Sequence, residues 1–410
     1  MLTSQEINEL IGVTESYKAS DKLIKLLFND SEKEKVFDNF LKKENDLNYD
    51  WFVNYFQEEH SDRAKLKQDF TPKEISKILN SILNTSDSNG DICAGTGSLT
   101  IARWAENKDS FFYCEEYSDR TVPFLLFNLA IRNTEAIVWH GDSLSRECKN
   151  VYKISKSDKY GIIEKMEEVE IKCDKIVMNP PYSLKWEHKD EYKMQERFSI
   201  FGVLPPKSKA DYAFIMQGLN TLEKNGEMAI ILPHGVLFRG AAEGAIRKKI
   251  IELNLLDSVI GLPDKIFLNT AIPTTILILK KNKTNSDILF IDASKQFVKS
   301  GSHNIMQEEH INKILEVYFK RMSIDKFSSL VTLEQIEEND FNLNIPRYVD
   351  TFESQEIESF DDVLKNLKEI NTDIKKQKKL IAEITSQLTA NNDNDMKCLK
   401  EFKELLENMR

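Results

Sequence analysis

Residues 91–98 read DICAGTGS, a short apolar run closed by two glycines, with a helix-compatible stretch directly behind it. Gly95 and Gly97 stand where a chain leaving a strand turns into a helix. Small residues there let backbone N–H groups approach a ligand at the carboxyl end of the strand, beside the helix amino terminus. A plain tight turn needs the same two glycines, so the neighbouring stretches must decide. FFYCEE (111–116) ends a second apolar run on Glu115 and Glu116, where a doubly wound sheet places a carboxylate for ribose hydroxyls. WHGDSL (139–144) sets Asp142 after a third run, where it can accept from the exocyclic amine of an adenine. Three successive strand ends fit one nucleoside-like ligand.

Outward from this stretch, short apolar runs alternate with helical ones from Gly90 to about residue 292, the pattern of an α/β fold with a parallel sheet and crossover helices. Strands are expected at 91–93, 111–114, 136–139, 175–178, 228–232, 258–260, 274–279 and 288–291, the closing ones with short links that suit an antiparallel edge. The segment 184–210 is long, polar and proline-terminated, and is expected to be a mobile loop. Residues before 60 look helical, with Ser31 and Glu34 spaced as a capping box. In QDFTPKEISKILNSILN (68–84), Thr71, Pro72 and Glu74 predict a helix that starts at Thr71. Near the far end, Phe360, Val363, Leu367, Ile370, Ile374, Gln377, Ile381, Ile384 and Leu388 step by three and four, a heptad seam that wants a partner helix. TANNDND (389–395) breaks it, and a shorter amphipathic helix follows.

The fourth expected strand runs into DKIVMNPPYS (174–183), which offers no His, Cys, carboxylate or metal ligand set. Prolines cannot join a ladder, so NPP ends the strand whatever its task. An exocyclic amine on a nucleobase is a poor nucleophile because its lone pair is delocalised into the ring. The Asn179 side-chain oxygen and the Pro180 carbonyl can accept its two hydrogens and favour a pyramidal nitrogen. With a methyl sulfonium held in line, position and fixed dipoles then supply the acceleration. Tyr182 would stack on a base withdrawn from its duplex, and Phe267 is the candidate for the opposite face, though core packing accounts for Phe267 as well.

Composition narrows the field. A 410-residue chain with 41% hydrophobic and 30% charged residues can bury a large core and is not disordered. Five scattered cysteines with no C-x-x-C pair argue against a zinc knuckle and a disulfide framework, and no metal is expected. MLTSQEINEL lacks the features of a signal peptide and no apolar run is long enough to span a bilayer, so a cytoplasmic location without membrane is expected. A net charge of −11 excludes a chain that grips nucleic acid by its overall field, so DNA contact is expected to be local or to belong to a partner.

The order of these motifs resembles the S-adenosylmethionine-dependent amino-methyltransferases of DNA, and more closely the modification subunits of type I restriction-modification systems. The resemblance is carried by QDFTPK (68–73), DICAGTGSL (91–99), EEYS (115–118), NLAIRN (128–133), HGDSL (140–144), NPPYS (179–183), ILPHGVLFRGAAEGAIRKKIIE (231–252), VIGLPDKIFLNTAIPTTILIL (259–279) and NIPRYVD (344–350). It implies a doubly wound, mostly parallel, seven-stranded Rossmann-like methyltransferase sheet over 66–352. A helical domain over 1–65 precedes it, and a helical coiled-coil tail over 353–410 docks subunits. It implies that Gln68, Asp69, Phe70, Thr71, Pro72 and Lys73 line the methionine end of S-adenosylmethionine, with Thr71 near its carboxylate. Asp91 and the loop Gly95, Thr96, Gly97 and Ser98 would cradle the cofactor, Glu116 its ribose and Asp142 its adenine. Asn179, Pro180, Pro181, Tyr182 and Phe267 would serve the target adenine N6. The implied partners are double-stranded DNA, a specificity subunit on the tail, a second modification subunit and a restriction subunit. The competing readings are a non-catalytic assembly or DNA-clamping subunit, and a methyltransferase acting on glutamine side chains or RNA.

Overall fold

The structure, a computed structural model, describes residues 2–59, 71–267, 272–351, 359–390 and 392–408. It divides into two compact units, residues 1–351 and 352–410.

The first unit is built on one eleven-stranded sheet. Its strands are β1 (Ser88–Asp91), β2 (Phe111–Glu116), β3 (Glu135–Asp142), β4 (Glu147–Ser155), β5 (Ile162–Met166), β6 (Cys173–Met178), β7 (Leu222–Pro233), β8 (Leu256–Gly261), β9 (Thr274–Lys280), β10 (Ile288–Asp292) and, after a two-stranded hairpin of β11 (Val298–Ser300) and β12 (His303–Ile305), β13 (Ser328–Val331). The order across the sheet is β13-β10-β8-β9-β7-β6-β1-β2-β3-β4-β5. The sheet is wider than the seven strands expected: a central seven, β3-β2-β1-β6-β7-β9-β8, is extended by β10 and β13 beyond β8 and by β4 and β5 beyond β3, and within it β3, β2, β1, β6 and β7 pair in parallel. β9 runs antiparallel to both its neighbours, β7 and β8.

The expected antiparallel edge is therefore an interior strand. Residues 274–279 are all buried, and an uninterrupted apolar run of that kind needs cover on both faces and pairing on both edges. The helical crossovers fall on both faces, and the period of two shows in which core each strand residue joins. Ile176, Met178, Met228 and Ile230 enter the core that holds Tyr212 and Ile246. Val177, Ala229 and Ile231 enter the opposite one with Ile75, Ile78 and Ile82 of the helix Lys73–Leu83.

Three readings of local sequence are corrected. β1 occupies SNGD rather than DIC, and Asp91 is its last residue. A strand this polar is tolerated in the sheet centre because Asn89 Oδ1 accepts from Arg103 Nε (2.9 Å) and Nη2 (2.6 Å), while a Cβ at Gly90 would crowd Ile176 at 3.1 Å. The helix over Asp30–Lys43 is capped by Asn29, not Ser31, with the Glu32 N–H donating to Asn29 Oδ1. The segment 184–210 is not a loose loop: Trp186, Tyr192, Phe198, Phe201 and Leu204 are buried in the main core. The Trp186 indole N–H donates to the Pro206 carbonyl, and the Ala210 N–H to the Leu184 carbonyl.

The helices Ser4–Ile11, Ala19–Leu27, Asp30–Lys43 and Val53–Glu59 do not build a core of their own. They share one with the helix Val122–Ile131, all of whose residues are buried between them and β2, β3 and β4. A helix apolar on every side needs cover on every side, and these amino-terminal helices supply its outer layer. In the second unit, Phe360–Ser386 is one continuous helix followed by Asp393–Asn408. The seam residues Leu367, Ile370, Ile374 and Ile381 are exposed there.

Candidate active site

The glycine loop follows β1 at its carboxyl end. Gly95 and Gly97 have φ of +57° and +100°, so both occupy the left-handed region that glycine enters without cost. A Cβ on Gly97 would meet Leu125 at 2.9 Å, whereas one on Gly95 would meet nothing within 4 Å. The first glycine faces a space and the second a packed helix. The helix Ser98–Glu106 begins at once, its amino terminus turned to the same place.

Glu116 closes the loop from β2. Its Oε2 accepts from the Gly95 N–H and its Oε1 from the Ser118 N–H, both at 2.8 Å. Burial raises its pKa, against the lowering effect of these two bonds. Glu115 lines the same cavity, but its Oε1 is already engaged, accepting from Tyr113 Oη and Arg146 Nη1, both at 2.8 Å. The two acids that the sequence offers side by side thus differ in their partners: Glu116 holds the glycine loop and Glu115 a tyrosine and an arginine. At the end of β3, Asp142 Oδ1 accepts from the Leu144 N–H at 2.9 Å. At the end of β1, Asp91 Oδ2 accepts from Thr100 at 2.9 Å, while its buried Oδ1 has no hydrogen-bond partner among the described residues. Burial pushes the Asp91 carboxyl up to about 7.

These residues line one cavity of about 670 Å³, with Asp91, Gly95, Ser98, Glu116 and Asp142 on its floor and Thr71, Asn179 and Pro181 at its side. Trp186, His188 and Tyr192, from the segment expected to be loose, form a further wall. Arg197 holds that wall to the β3 loop by donating to the Ser143 and Leu144 carbonyls at 3.0 and 2.6 Å. Concentrated carboxylates with an unpaired oxygen, a glycine cradle and a helix amino terminus suit a ligand that combines a cation, a ribose and a carboxylate. S-adenosylmethionine has that composition.

Asn179 leaves β6 beside this floor. Its Nδ2 donates to Thr71 Oγ1 at 3.0 Å, and its Oδ1 accepts from Tyr182 Oη at 2.8 Å. Thr71 therefore makes no side-chain cap: the helix starts at Lys73 with Pro72 as N-cap, and the hydroxyl serves Asn179 instead. Phe267 meets Tyr182 edge to face, with ring centroids 6.1 Å apart and planes at 88°. For these rings to cover both faces of a base, one must turn. Gln68, Asp69 and Phe70 lie outside the described residues.

Sequence reasoning missed what holds the loop in place. Thr96 and Ser98 hydroxyls both donate to Asp50 Oδ2, and Asn128 Nδ2 donates to Asp50 Oδ1 and to the Thr96 carbonyl, each at 2.8 Å. Arg132 bonds Asn128 Oδ1 and the Leu47 and Tyr49 carbonyls. The signal was present in NLAIRN, where Asn128 is the polar side chain of an otherwise apolar helix and Arg132 follows as its C-cap.

Residues 45–357 match the N-6 DNA methylase family. The chain is 30% identical over 328 residues to the type I restriction enzyme MpnII methylase subunit of Mycoplasma pneumoniae, covering 75% of this chain and 58% of that one. It is 28% identical to the MjaVII methylase subunit of Methanocaldococcus jannaschii, covering 94% and 68%. Among solved structures, the type I restriction-modification methyltransferase subunit from Streptococcus thermophilus matches with a TM-score of 0.61 and 42% identity, over 69% of this chain and 59% of that one. This chain thus spans between a little over half and about two thirds of the length of these relatives.

Proposed function

The chain belongs to the N-6 DNA methylase family, and from that membership we infer that it is the modification subunit of a type I restriction-modification complex, a site-specific DNA adenine N6 methyltransferase. The observation that carries this reading is the placement of Asn179 at the end of β6 on the wall of the cavity floored by Gly95, Glu116 and Asp142. Bound S-adenosylmethionine supplies a methyl group activated by a sulfonium. Gly95 to Ser98 hold its backbone-contacting parts, Glu116 the ribose hydroxyls and Asp142 the adenine amine. Thr71 accepts from Asn179, so its own hydrogen is available to the methionine carboxylate.

Asn179 Oδ1 and the Pro180 carbonyl accept the two hydrogens of the target N6. An amide oxygen has two lone pairs, so Tyr182 and the target amine can share it. Held this way, N6 directs its lone pair at the methyl group, and the surplus proton stays hydrogen-bonded to one of these oxygens until water takes it. No strong base is required, in keeping with the absence of His or Lys from the loop. Tyr182 stacks on the extruded base once its ring turns from Phe267. Double-stranded DNA is the substrate, a specificity subunit docked on the carboxyl-terminal helices selects the site, and a second modification subunit and a restriction subunit complete the assembly.

The test is sequencing for modified bases in cells that carry this chain with its specificity subunit, against cells with Asn179→Ala. N6-methyladenine at one motif in the first and a loss of about 100-fold or more in the second are expected, the scale on which a preorganised polar contact acts. Equal methylation in both would refute the assigned role.

A further inference from the structure

The loop that holds the target amine is pinned at both ends. At its start, Asn179 continues β6. Pro180 and Pro181 follow, each with φ fixed by its ring, so the course of the loop depends on how its far end is held. That end is Ser183, which has φ of +50°, a conformation residues with side chains adopt at a cost. Its N–H donates to Asp211 Oδ1 at 2.8 Å. Asp211 is fully buried at the start of the helix Asp211–Thr221. Its second oxygen accepts from Arg239 Nη2, and the same guanidinium donates to both oxygens of Glu243. Arg239 is itself fixed through its carbonyl, which accepts from Arg247 Nη1 at 2.8 Å. None of Asp211, Arg239 or Glu243 lines the cavity.

We propose that Asp211, oriented by Arg239, is a positioning residue for methyl transfer: it holds Ser183 in its left-handed turn and so sets the place of Asn179 to Tyr182 against the target amine. The inference rests on the reading of that loop as the amine site. It assigns a task to Arg239 and Glu243, which otherwise would form a buried ion cluster without connection to the chemistry. Because the cluster lies behind the loop and off the cavity, its loss acts on turnover and leaves cofactor affinity alone.

The assembled complex serves for the test, with Asp211→Asn, and with Asp211→Asn combined with Ser183→Gly. Asparagine at 211 should lower kcat by about 100-fold, the scale of an ångström-sized misplacement, with the dissociation constant for S-adenosylmethionine unchanged by calorimetry. Glycine at 183 takes positive φ without a pin, so the double variant should regain part of the lost kcat. Full kcat in Asp211→Asn overturns the inference. So does a joint loss of cofactor affinity and kcat that glycine does not repair, since that is the mark of a merely structural residue. If the asparagine variant does not assemble, Arg239→Lys, which keeps a cation beside Asp211 but loses the forked grip, must show the same split, and full kcat in it is equally fatal. A wild-type complex that binds cofactor but transfers no methyl to DNA refutes the functional reading itself, before any variant is compared.

Discussion

Asp91 shows how burial decides what a residue in a motif can do. It ends a strand in the centre of the sheet, one oxygen bonded to Thr100 and the other without a partner among the described residues. Burial raises its carboxyl from the ordinary value to about 7, so below that pH the folded chain holds a proton that the unfolded chain releases near pH 4. The sign follows: this group's contribution to stability is present below about pH 4 and is lost as pH rises to about 7. A cationic ligand works the other way, since it favours the ionised form and expels the proton. Affinity for S-adenosylmethionine is therefore expected to rise from pH 5.5 to about 7 and then level, with proton release on binding, and Asp91→Asn should flatten part of that rise. Calorimetry in two buffers of different ionisation enthalpy measures both; a flat wild-type profile contradicts the assignment. The residue types that line this cavity were legible in the sequence, whereas the choice of Glu116 over Glu115 came from the resemblance alone. That Thr71 would serve Asn179 rather than cap its own helix was not, because a hydroxyl before Pro-Lys-Glu meets both demands equally well until the strand end is brought beside it.

At the level of elements, the glycine loop is positioned from outside the sheet. Asp50 stands before the helix Val53–Glu59 and accepts from Thr96, Ser98 and Asn128, while Arg132 closes the network onto Leu47 and Tyr49. Removing the shared acceptor leaves several buried donors unpaired, each costing about 1–3 kcal/mol. Asp50→Ala is expected to lower stability by about 3 kcal/mol and to weaken cofactor binding, read by urea unfolding and titration. A loss below about 1 kcal/mol would mean that water replaces the carboxylate. Apolar periodicity revealed the helix Lys73–Leu83 and strands β2, β3 and β6, because their faces repeat with the period of the element. It misplaced β1, whose SNGD carries no apolar residue, and missed β4 and β5, where charged residues alternate on a half-exposed hairpin. It also gave the segment 184–210 to solvent, since its aromatic anchors are spaced by no regular element.

Across the molecule, the chain forms two compact units. The first contains the whole cavity and every residue placed around it, while the second exposes the apolar seam of the helix Phe360–Ser386. A chain ending at residue 351 is expected to bind S-adenosylmethionine as the full chain does and to fail to assemble with its specificity subunit. Calorimetry and size-exclusion chromatography check the two halves of this statement, and normal assembly of the shortened chain would assign the tail a structural part only. Among the described residues no helix is long and apolar enough to cross a membrane. The order of strand ends, and with it the class of fold, was legible in the sequence alone, because each motif sits in a contiguous stretch at the end of a strand. Tertiary structure alone decided that TTILIL lies inside the sheet, that Asp50 braces a loop 46 residues away, and that Asp211 holds Ser183. Contacts of that kind join segments with no local signature of each other, and only burial against a common core brings a carboxylate in one within reach of a donor in the other.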